Sequence, residues 1–342
     1  MNQKLRRMPL PSFFICHHHT TRYFEAINHM STHTVIVGGT VAIDNVITPV
    51  EKRENLLGGS AAYAAIATTL FNRNVELVGV VGDDFPQEHT DLLASKGIGL
   101  EGLETSTQKT FTWSGKYLDN MNDRETLDVA INVLENWEVK VPSELQKASI
   151  VVLANMAPAN QLQMLSQSLV EKRYVIADTM DLWIDIAKAE LEEVLTKIDL
   201  LVLNDSEAKQ FTGAYSSAKA GHLLLEKGLK SVIIKHGEFG ATLFHTQGNG
   251  SVQLFKCPAW PLQELVDPTG AGDSFLGGLA GTLAAMGKTY PTLTDLKQGI
   301  INGTIAASFT CESFSTEKLQ EITPEQIKER RSEFWGMSHW DA

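Results

Sequence analysis

Cysteine is scarce in this chain, and long apolar runs are missing. The 342 residues include three cysteines, Cys16, Cys257 and Cys311, which lie far apart and form no Cys-x-x-Cys pair. This spacing excludes a zinc knuckle and a disulfide framework, and it favours a reducing compartment. No apolar run approaches the roughly 18 residues that a membrane-spanning helix requires. We therefore expect a cytoplasmic protein that has no membrane partner.

Positive charge is also in short supply. Asp and Glu number 41 against 29 Lys and Arg, which gives a formal net charge of -12. Such an acidic balance argues against nucleic acid as a partner. The apolar fraction of 43% and the charged fraction of 20% are ordinary for a globular protein. The length suits one large domain with at most a small appendage.

The start of the chain differs in composition from the rest. Its first 30 residues carry a single acid and four basic residues, Lys4, Arg6, Arg7 and Arg22. This stretch lacks the periodicity of a helix or a strand. We interpret residues 1–33 as a disordered tail, or as a segment that precedes a translation start at Met30. An organelle-targeting peptide is the alternative.

Short β-branched runs recur along the rest of the chain and alternate with helix-like segments. The predicted strands are Val35–Thr40, Val75–Val81, Ser149–Leu153, Tyr174–Ala177, Asp199–Leu203 and Ser231–Lys235. This alternation predicts an α/β fold with a mostly parallel sheet that is covered on both faces. Polar residues follow several of the strands: Asp44, Asn155, Asp178, Asn204 and Lys235. Because open α/β sheets bind ligands beyond the carboxyl ends of their strands, these side chains mark a candidate crevice.

One segment, residues 101–138, breaks this alternation. It is rich in Thr and aromatic residues and alternates locally, as in Thr110–Tyr117 and Thr126–Asn132. Such runs are typical of β-strands that leave the main sheet. We therefore expect additional strands here that lie outside the main sheet.

The most informative stretch is Asp267-Pro-Thr-Gly-Ala-Gly-Asp-Ser-Phe275, which is followed by small and apolar residues up to Met286. A turn with Pro and two Gly before such a segment predicts a loop that leads into a helix N-terminus. The free amides of the first turn and the helix dipole form an anion site there. Asp273 beside this site suits phosphoryl transfer, in which the amides stabilise the phosphate and the carboxylate takes a proton. The alternative is that Asp273 only caps the helix.

The fixed positions of residues 267–275, Asp-x-Thr-Gly-Ala-Gly-Asp-x-Phe, resemble the C-terminal signature of the PfkB, or ribokinase-like, carbohydrate kinases. This resemblance implies ATP-dependent phosphorylation of a hydroxymethyl group on a sugar or a nucleoside. It implies that Asp273 is the general base. The anion hole is then formed by the amides of Gly270, Ala271 and Gly272.

The resemblance covers most of the chain, from residue 34 to residue 331, and leaves residues 332–342 as a C-terminal tail. It implies a ribokinase-like three-layer α/β fold with a central, mostly parallel sheet. It also implies a small β-sheet lid over the substrate. We place this lid on residues 41–57 and 100–135.

The acceptor site is implied by a second glycine-rich segment, Leu56–Ala67, which resembles the N-terminal signature of the family. By this resemblance Asp44, Gly58 and Gly59 hold the substrate. Tyr63 stands where many members have Asn, so we expect it to form either a stacking wall or a different hydrogen bond. Trp113 and Tyr117 are also expected near the substrate, with plain lid packing as the alternative.

The nucleotide site is implied by two shorter motifs. Asn204-Asp-Ser-Glu207 matches the family's Asn-x-x-Glu motif, whose carboxylate helps to hold Mg²⁺, often through water. A helix capping box has the same pattern, and both readings can hold together. The segment that starts at Lys235 resembles the nucleotide loop, in which Gly237 and Gly240 let the backbone approach the ATP phosphates. Lys235 is expected either to touch phosphate or to pair with a surface acid.

The resemblance extends to further ligands and partners. Asn302 is an expected contact for adenine. Some members bind K⁺ beside residues that correspond to Asp267 and Thr269, and this chain has both. A small lid presents strand edges that need covering, so we expect a homodimer. We expect the acceptor to be a sugar or a sugar-like small molecule, and a nucleoside kinase of the same fold is the alternative, which is favoured if Trp113, Tyr117 or Tyr63 stacks a base. A catalytically silent sugar-binding relative is the alternative from a different class, and the intact Asp273 turn argues against it.

We predict that a chain starting at Met30 folds and retains full kinase activity, because residues 1–29 lack periodicity and precede the first predicted strand. The full-length and shortened chains would be compared by thermal melting and by turnover. Loss of folding on this truncation would contradict the prediction.

Overall fold

The computed structural model describes residues 33–168 and 172–338, which form two sheets and a set of surrounding helices. The strands, in chain order, are β1 (Val35–Gly38), β2 (Ala42–Ile47), β3 (Lys52–Gly58), β4 (Val75–Gly82), β5 (Ile98–Ser106), β6 (Thr112–Tyr117), β7 (Arg124–Ala130), β8 (Ile150–Leu153), β9 (Tyr174–Asp178), β10 (Leu200–Asn204), β11 (Ser231–Lys235), β12 (Ala241–Thr246) and β13 (Val252–Cys257). The helices are α1 (Ser60–Thr69), α2 (Gln87–Ser95), α3 (Pro158–Ser166), α4 (Asp181–Ile186), α5 (Lys188–Leu195), α6 (Asp205–Thr212), α7 (Ser217–Glu226), α8 (Ala271–Ala285), α9 (Leu293–Thr310), α10 (Glu317–Glu321) and α11 (Pro324–Ser338).

Nine strands form the main sheet, in the order β13-β12-β11-β10-β9-β8-β1-β4-β5. Neighbouring strands from β11 to β5 are parallel, whereas β12 and β13 are antiparallel at one edge. The central strands β1, β8 and β9 are buried along their whole length, as expected of a parallel sheet with helices on both faces. The predicted α/β fold is confirmed.

The other four strands form a small sheet in the order β3-β2-β6-β7, which we call the lid. A small second sheet was expected, but the predicted segment 100–135 began too early. Residues 98–106 form β5, which pairs in parallel with β4 at the edge of the main sheet. This segment has mixed apolar and polar side chains, and a strand with one exposed face shows that pattern in either sheet.

Helices α1 and α8 pack so closely that one side chain must be absent. A Cβ atom added at Gly277 would lie 2.1 Å from the carbonyl oxygen of Ala64. The Thr68 hydroxyl lies within hydrogen-bonding distance of two carbonyl oxygens, 2.7 Å from that of Ala64 and 3.1 Å from that of Gly277. Because α1 follows one glycine-rich signature and α8 follows the other, this contact fixes the two signatures relative to each other.

The C-terminal part of the chain is helical further than predicted. Helix α11 ends at Ser338, so residues 332–338 are not a tail. Phe334 is buried in this last stretch, and its ring centroid lies 6.4 Å from that of Trp260. This aromatic contact holds the final turns against the body.

The predicted N-terminal tail, apart from residue 33, lies outside the described residues. None of the helices in the described ranges is long and apolar enough to cross a bilayer.

Replacing Gly277 by Ala is predicted to destabilise the fold by about 1–3 kcal/mol, the cost typical of overpacking. The added methyl group would collide with the backbone of α1. Gly336 is the matched control, because it also lies in a helix but its added Cβ would meet no neighbouring atom within 4 Å. There, Ala should stabilise the helix by up to about 1 kcal/mol. Urea unfolding of both variants measures the difference, and equal effects would argue against the close-packing explanation.

Candidate active site

Three polar side chains lie together at the carboxyl end of the main sheet, as the sequence pattern predicted. Asp178, Asn204 and Lys235 are the last residues of β9, β10 and β11. The Nζ atom of Lys235 lies 3.1 Å from Oδ2 of Asp178, and both side chains are largely buried. Lys235 therefore pairs with a buried acid and not with the surface acid that the sequence suggested.

The N-terminus of α8 faces these strand ends. Gly270 precedes the helix with a φ of 75°, and no side chain caps the first turn. A side chain at Gly270 is also excluded by packing, because its Cβ would lie 2.3 Å from the ring of Tyr63. Gly272 borders Lys235, whose Nζ lies 3.0 Å from the place of an added Cβ. The first turn thus presents backbone amides beside an ammonium group, which is the chemistry of an anion site.

Asp273 lies in this first turn, close enough to Asp178 and Asp44 for their charges to interact. Burial raises the pKa of its carboxyl to about 7, and the charge of Asp178 adds to this effect. Lys235 and Arg124 act in the opposite direction. A carboxyl with a pKa near neutrality is suited to exchange protons with a hydroxyl group.

Asp44 provides a second buried carboxyl group, on the lid strand β2. Its side chain is packed over Gly58, where an added Cβ would lie 2.1 Å from the carboxyl carbon. The Gly59 amide donates to the Asp44 carboxyl, yet the Oδ1 atom is buried and has no protein partner. Burial raises its pKa to about 8, and Asp267 and Asp273 add to this effect. An unpaired buried acceptor of this kind suits a ligand hydroxyl.

The lid extends the surface beside Asp44 with a row of paired residues. Asp44 is the strand neighbour of Trp113, which is in turn the neighbour of Val129 on β7. Because neighbouring residues on paired strands share a face of the sheet, the three side chains form one row. Trp113 is partly exposed and Val129 is 45% exposed. An apolar surface therefore lies directly beside the Asp44 carboxyl.

Tyr117 joins the lid to the body of the protein. Its hydroxyl oxygen accepts a hydrogen bond from the Thr269 hydroxyl at 3.1 Å, and its ring is buried. Burial raises the pKa of Tyr117 to about 12. Arg124 on β7 bonds to the same tyrosine, and its guanidinium lies 5.8 Å from the ring centroid of Trp113. Arg124 could not be identified from the sequence, because its approach to the site depends on the pairing of β7 with β6.

Tyr63 does not form a stacking wall at the surface of the crevice. It is almost fully buried, and its ring lies behind the Gly270 turn. Burial raises the pKa of its hydroxyl, as do the charges of Asp267 and Asp44, while a hydrogen bond with Ser315 acts in the opposite direction. The side chain therefore supports the Gly270 turn from below.

Asn204 and Glu207 form a complete capping box at the start of α6. The Asn204 amide donates to Glu207 Oε2 at 2.7 Å, and the Glu207 amide donates to Asn204 Oδ1 at 2.8 Å. The capping interpretation of this motif is thus correct. Burial raises the pKa of Glu207 to about 7, with a further contribution from Asp178 and an opposing one from Lys235. The same carboxyl therefore also belongs to the charged cluster around Lys235.

The expected nucleotide loop forms a tight turn between β11 and β12. The His236 amide donates to the Gly240 carbonyl at 2.7 Å. Gly240 has a φ of 87°, and its added Cβ would lie 2.0 Å from the carbonyl oxygen of Cys257. Gly237 has open space around it. The turn follows directly after Lys235, so its open side borders the same end of the sheet.

Asn302 lies elsewhere than predicted. Its side chain is buried in α9, where it donates to the Thr282 hydroxyl at 2.9 Å and accepts from Arg331. These contacts connect α9 with α8 and α11, so the prediction of an adenine contact is wrong for this residue. The sequence could not show which face of α9 is turned inward.

Asp267 and Thr269, the expected K⁺ ligands, form a closed turn. The amide of Thr269 donates to Asp267 Oδ1 at 2.9 Å, and the amide of Ser315 donates to Oδ2 at 3.4 Å. Burial raises the pKa of Asp267 in spite of these bonds. Across the described ranges, no three His, Cys, Asp or Glu side chains converge to hold a metal ion directly.

Comparison with known proteins identifies similar chains. Residues 33–322 match the pfkB family of carbohydrate kinases. A cytidine kinase from Thermococcus kodakarensis is 31% identical over 252 residues, which cover 72% of this chain and 87% of that relative. Two solved structures have a similar fold. One is the Burkholderia thailandensis nucleoside kinase in complex with inosine, with a TM-score of 0.72, 19% identity, and coverage of 89% of this chain and 98% of that chain. The other is Arabidopsis thaliana ribokinase complexed with ribose and ATP, with a TM-score of 0.69, 19% identity, and coverage of 87% and 98%.

The stability of the ligand-free protein is predicted to fall as the pH rises from about 5 to about 8. An unfolded Asp ionises near pH 4, whereas folded Asp44 holds its proton up to a pH of about 8. The folded state binds more protons in this interval, so raising the pH favours unfolding. Asp273 and Glu207, whose pKa values are about 7, contribute in the same direction. Asp44→Asn removes one of these three titrating groups and should make the dependence on pH less steep.

Melting temperatures of the parent and the Asp44→Asn variant across this pH range test the prediction. Asp83→Asn serves as the control, because it removes the same formal charge from an exposed position. A pH dependence that stays unchanged in Asp44→Asn would show that Asp44 does not titrate in this interval.

Proposed function

The chain belongs to the pfkB family of carbohydrate kinases and is a kinase of a sugar or a nucleoside, and on this basis we propose that it transfers the γ-phosphoryl group of ATP to a hydroxymethyl group of its acceptor. One observation carries the proposal. Two carboxyl groups, the buried Asp44 and the partly exposed Asp273, lie close enough for their charges to interact, and Asp273 stands in the uncapped first turn of α8.

The two carboxyl groups take different roles in this reaction. Asp44 accepts hydrogen bonds from acceptor hydroxyls through its unpaired Oδ1. Asp273 takes the proton of the hydroxyl that attacks the γ-phosphorus, a task that suits a pKa near 7. The amides of Gly270, Ala271 and Gly272 stabilise the negative charge on the phosphoryl oxygens. Each step uses a group that the chain holds in place before any ligand binds.

Mg²⁺ fits the charge of this site. Three carboxyl groups, Asp178, Glu207 and Asp273, act on a single ammonium, Lys235, so the cluster has surplus negative charge that a cation would relieve. Glu207 and Asn204 would hold the ion through water, since the described residues offer no direct cluster of metal ligands. When bound, Mg²⁺ neutralises charge on the β- and γ-phosphates.

K⁺ fits its expected site less well. Both oxygens of Asp267 already accept hydrogen bonds from backbone amides, one from Thr269 and one from Ser315. The protein therefore already occupies one acceptor position on each oxygen. We assign no step to K⁺.

The adenine group needs a site other than Asn302. A cavity of about 390 Å³ lies along the loop that leads to the Gly270 turn, and it is lined by Trp260, Pro261, Leu262, Gln263, Glu264, Val266 and Glu312. Its size falls in the range of small-molecule sites. We propose that adenine binds in this cavity, since the loop connects it directly with the phosphate site.

A nucleoside is the acceptor that one further observation favours. The row from Asp44 to Trp113 and Val129 places apolar surface next to the group that would hold sugar hydroxyls. A free sugar has no planar base to pack against that surface, whereas the base of a nucleoside can stack on an indole ring. The cytidine kinase relative and the inosine-bound structural neighbour agree with this choice. A thermal-shift screen of sugars and nucleosides separates the two classes, because a bound ligand stabilises the folded state.

Asp273→Asn is predicted to lower turnover by about 10²–10⁴, the range attributed to general base catalysis, while the fold and the affinity for ATP stay nearly unchanged. Asn keeps the size of Asp but cannot take a proton, and no capping bond is lost because the Asp273 side chain does not cap the helix. Asp295→Asn is the matched control, since Asp295 occupies the same first-turn position in α9, away from the site. The measurements are turnover on an accepted substrate, ATP affinity and melting temperature. Near-normal turnover in a folded Asp273→Asn protein would remove Asp273 from the mechanism.

We propose that two copies of the chain pair through their lids. Strand β7 forms one edge of the lid, and Leu127, Val129 and Ile131 in and just after it are each about half exposed. Such an edge favours pairing with another strand. We predict a dimer at micromolar concentration in sedimentation, and its dissociation by Leu127→Glu. Tyr215→Glu, which changes a fully exposed residue far from the lid in sequence, should leave the dimer intact. A parent protein that is strictly monomeric would refute the pairing.

A further inference from the structure

The buried pair of Lys235 and Asp178 is not explained by the fold alone. Lys235 ends β11 and Asp178 ends β9, so the lysine side chain reaches across the intervening strand β10 to make the 3.1 Å contact. A buried ion pair contributes little net stability, because removing both charges from water costs nearly as much as their attraction returns. The position of the pair therefore points to a role in the chemistry.

The ammonium of Lys235 is placed at the start of α8. A Cβ atom added at Gly272 would lie 3.0 Å from the Nζ atom of Lys235 and 3.9 Å from its Cε atom, and these are the atoms nearest to it. A group bound to the first-turn amides would thus meet this ammonium. Burial opposes charge on Lys235, but Asp178, Glu207 and Asp273 outweigh it and raise the pKa of the lysine. The side chain therefore stays protonated.

On the basis of the function proposed above, we propose that Lys235 contacts the γ-phosphoryl group during its transfer. Asp178 is then a positioning residue that holds the ammonium in place. The oxygen of the acceptor hydroxyl forms a bond with the γ-phosphorus. The bond from the γ-phosphorus to the β,γ-bridging oxygen breaks, and its electron pair leaves with ADP. The proton of the hydroxyl goes to Asp273. Lys235 makes no covalent bond and gives up no proton, and its charge offsets the charge on the phosphoryl oxygens.

A pair with a purely structural role and a pair with a catalytic role are expected to respond differently to substitution. If the pair has only a structural role, the double variant should recover both the stability and the turnover that each single substitution loses. If Lys235 contacts the phosphoryl group, the double variant should regain stability but not turnover. The variants Lys235→Met, Asp178→Asn and Asp178→Asn/Lys235→Met separate these cases. Lys235→Met alone leaves the buried Asp178 without its partner and could prevent folding. The double variant removes both charges of the pair, so the test remains possible in that case.

The expected result is that the double variant melts near the parent temperature while its turnover stays about 10² or more below the parent, the scale of losing one charged stabiliser of the transition state. Asp178→Asn alone should lower kcat more than it changes KM for Mg-ATP, because the ammonium remains but is less well placed. The control pair is Lys288 and Asp295, whose Nζ and Oδ2 lie 2.7 Å apart away from the site. Lys288→Met/Asp295→Asn should leave turnover unchanged. A double variant of the Lys235 pair with turnover within about threefold of the parent would overturn the proposal.

Nucleotide binding gives a readout that does not depend on the acceptor. AMP-PNP carries a γ-phosphoryl group and ADP does not, so in Mg²⁺ buffer Lys235→Met or the double variant should weaken AMP-PNP binding about tenfold more than ADP binding, the value of one charge-assisted hydrogen bond. Equal weakening of both nucleotides overturns the contact with the γ-phosphoryl group. If the parent phosphorylates no sugar or nucleoside, the proposed function fails, and this affinity ratio still decides the assignment of Lys235.

Discussion

The burial of several like charges around one ammonium is the constraint on which the site depends. The negative charges of three residues stabilise the protonated Lys235: Asp178, Glu207 and Asp273. Asp44 lies close enough to Asp273 for their two charges to repel each other. Burial and the neighbouring charges raise the pKa of Glu207, Asp273 and Asp44, so these groups bind protons in the ligand-free protein that a bound ligand and its cation would displace. The fold tolerates this arrangement because the carboxyl groups are set on rigid strand ends and on helix first turns. A charged ligand with its cation would complete the balance.

The helices convert this local arrangement into a fixed geometry. The contact of Gly277 with the backbone of α1 holds the Gly270 turn at a set distance from the Gly58-Gly59 segment, over which Asp44 is packed. The hydrogen bond between Tyr117 and Thr269 connects the lid to the same turn. The proposed acceptor surface and the proposed phosphate site therefore meet at one short stretch of chain.

Local motifs were readable from the sequence, and long-range contacts were not. The sequence predicted the turn before α8, the capping residues Asn204 and Glu207, and the strand ends that form the crevice, because each depends on neighbours in the chain. The partnership of Lys235 with Asp178 joins residues 57 positions apart on strands that are not adjacent. The wrong placement of Asn302 has a similar origin, since a mostly apolar helix gives no sign of which polar side chain is turned inward. The assignment of residues 100–106 to the lid failed because edge strands of the two sheets have the same pattern.

The close contact between α1 and α8 has a consequence for how such a protein can diversify. No side chain can be added at Gly277 without moving a helix, so substitutions there are heavily restricted. Strand β7 of the lid is exposed along nearly its whole length and has few such restrictions. New acceptor preferences should therefore arise by substitution or exchange of this part of the lid, with the helical pair left intact. A lid grafted from a relative with another acceptor would meet an unchanged Gly270 turn, to which Tyr117 connects it.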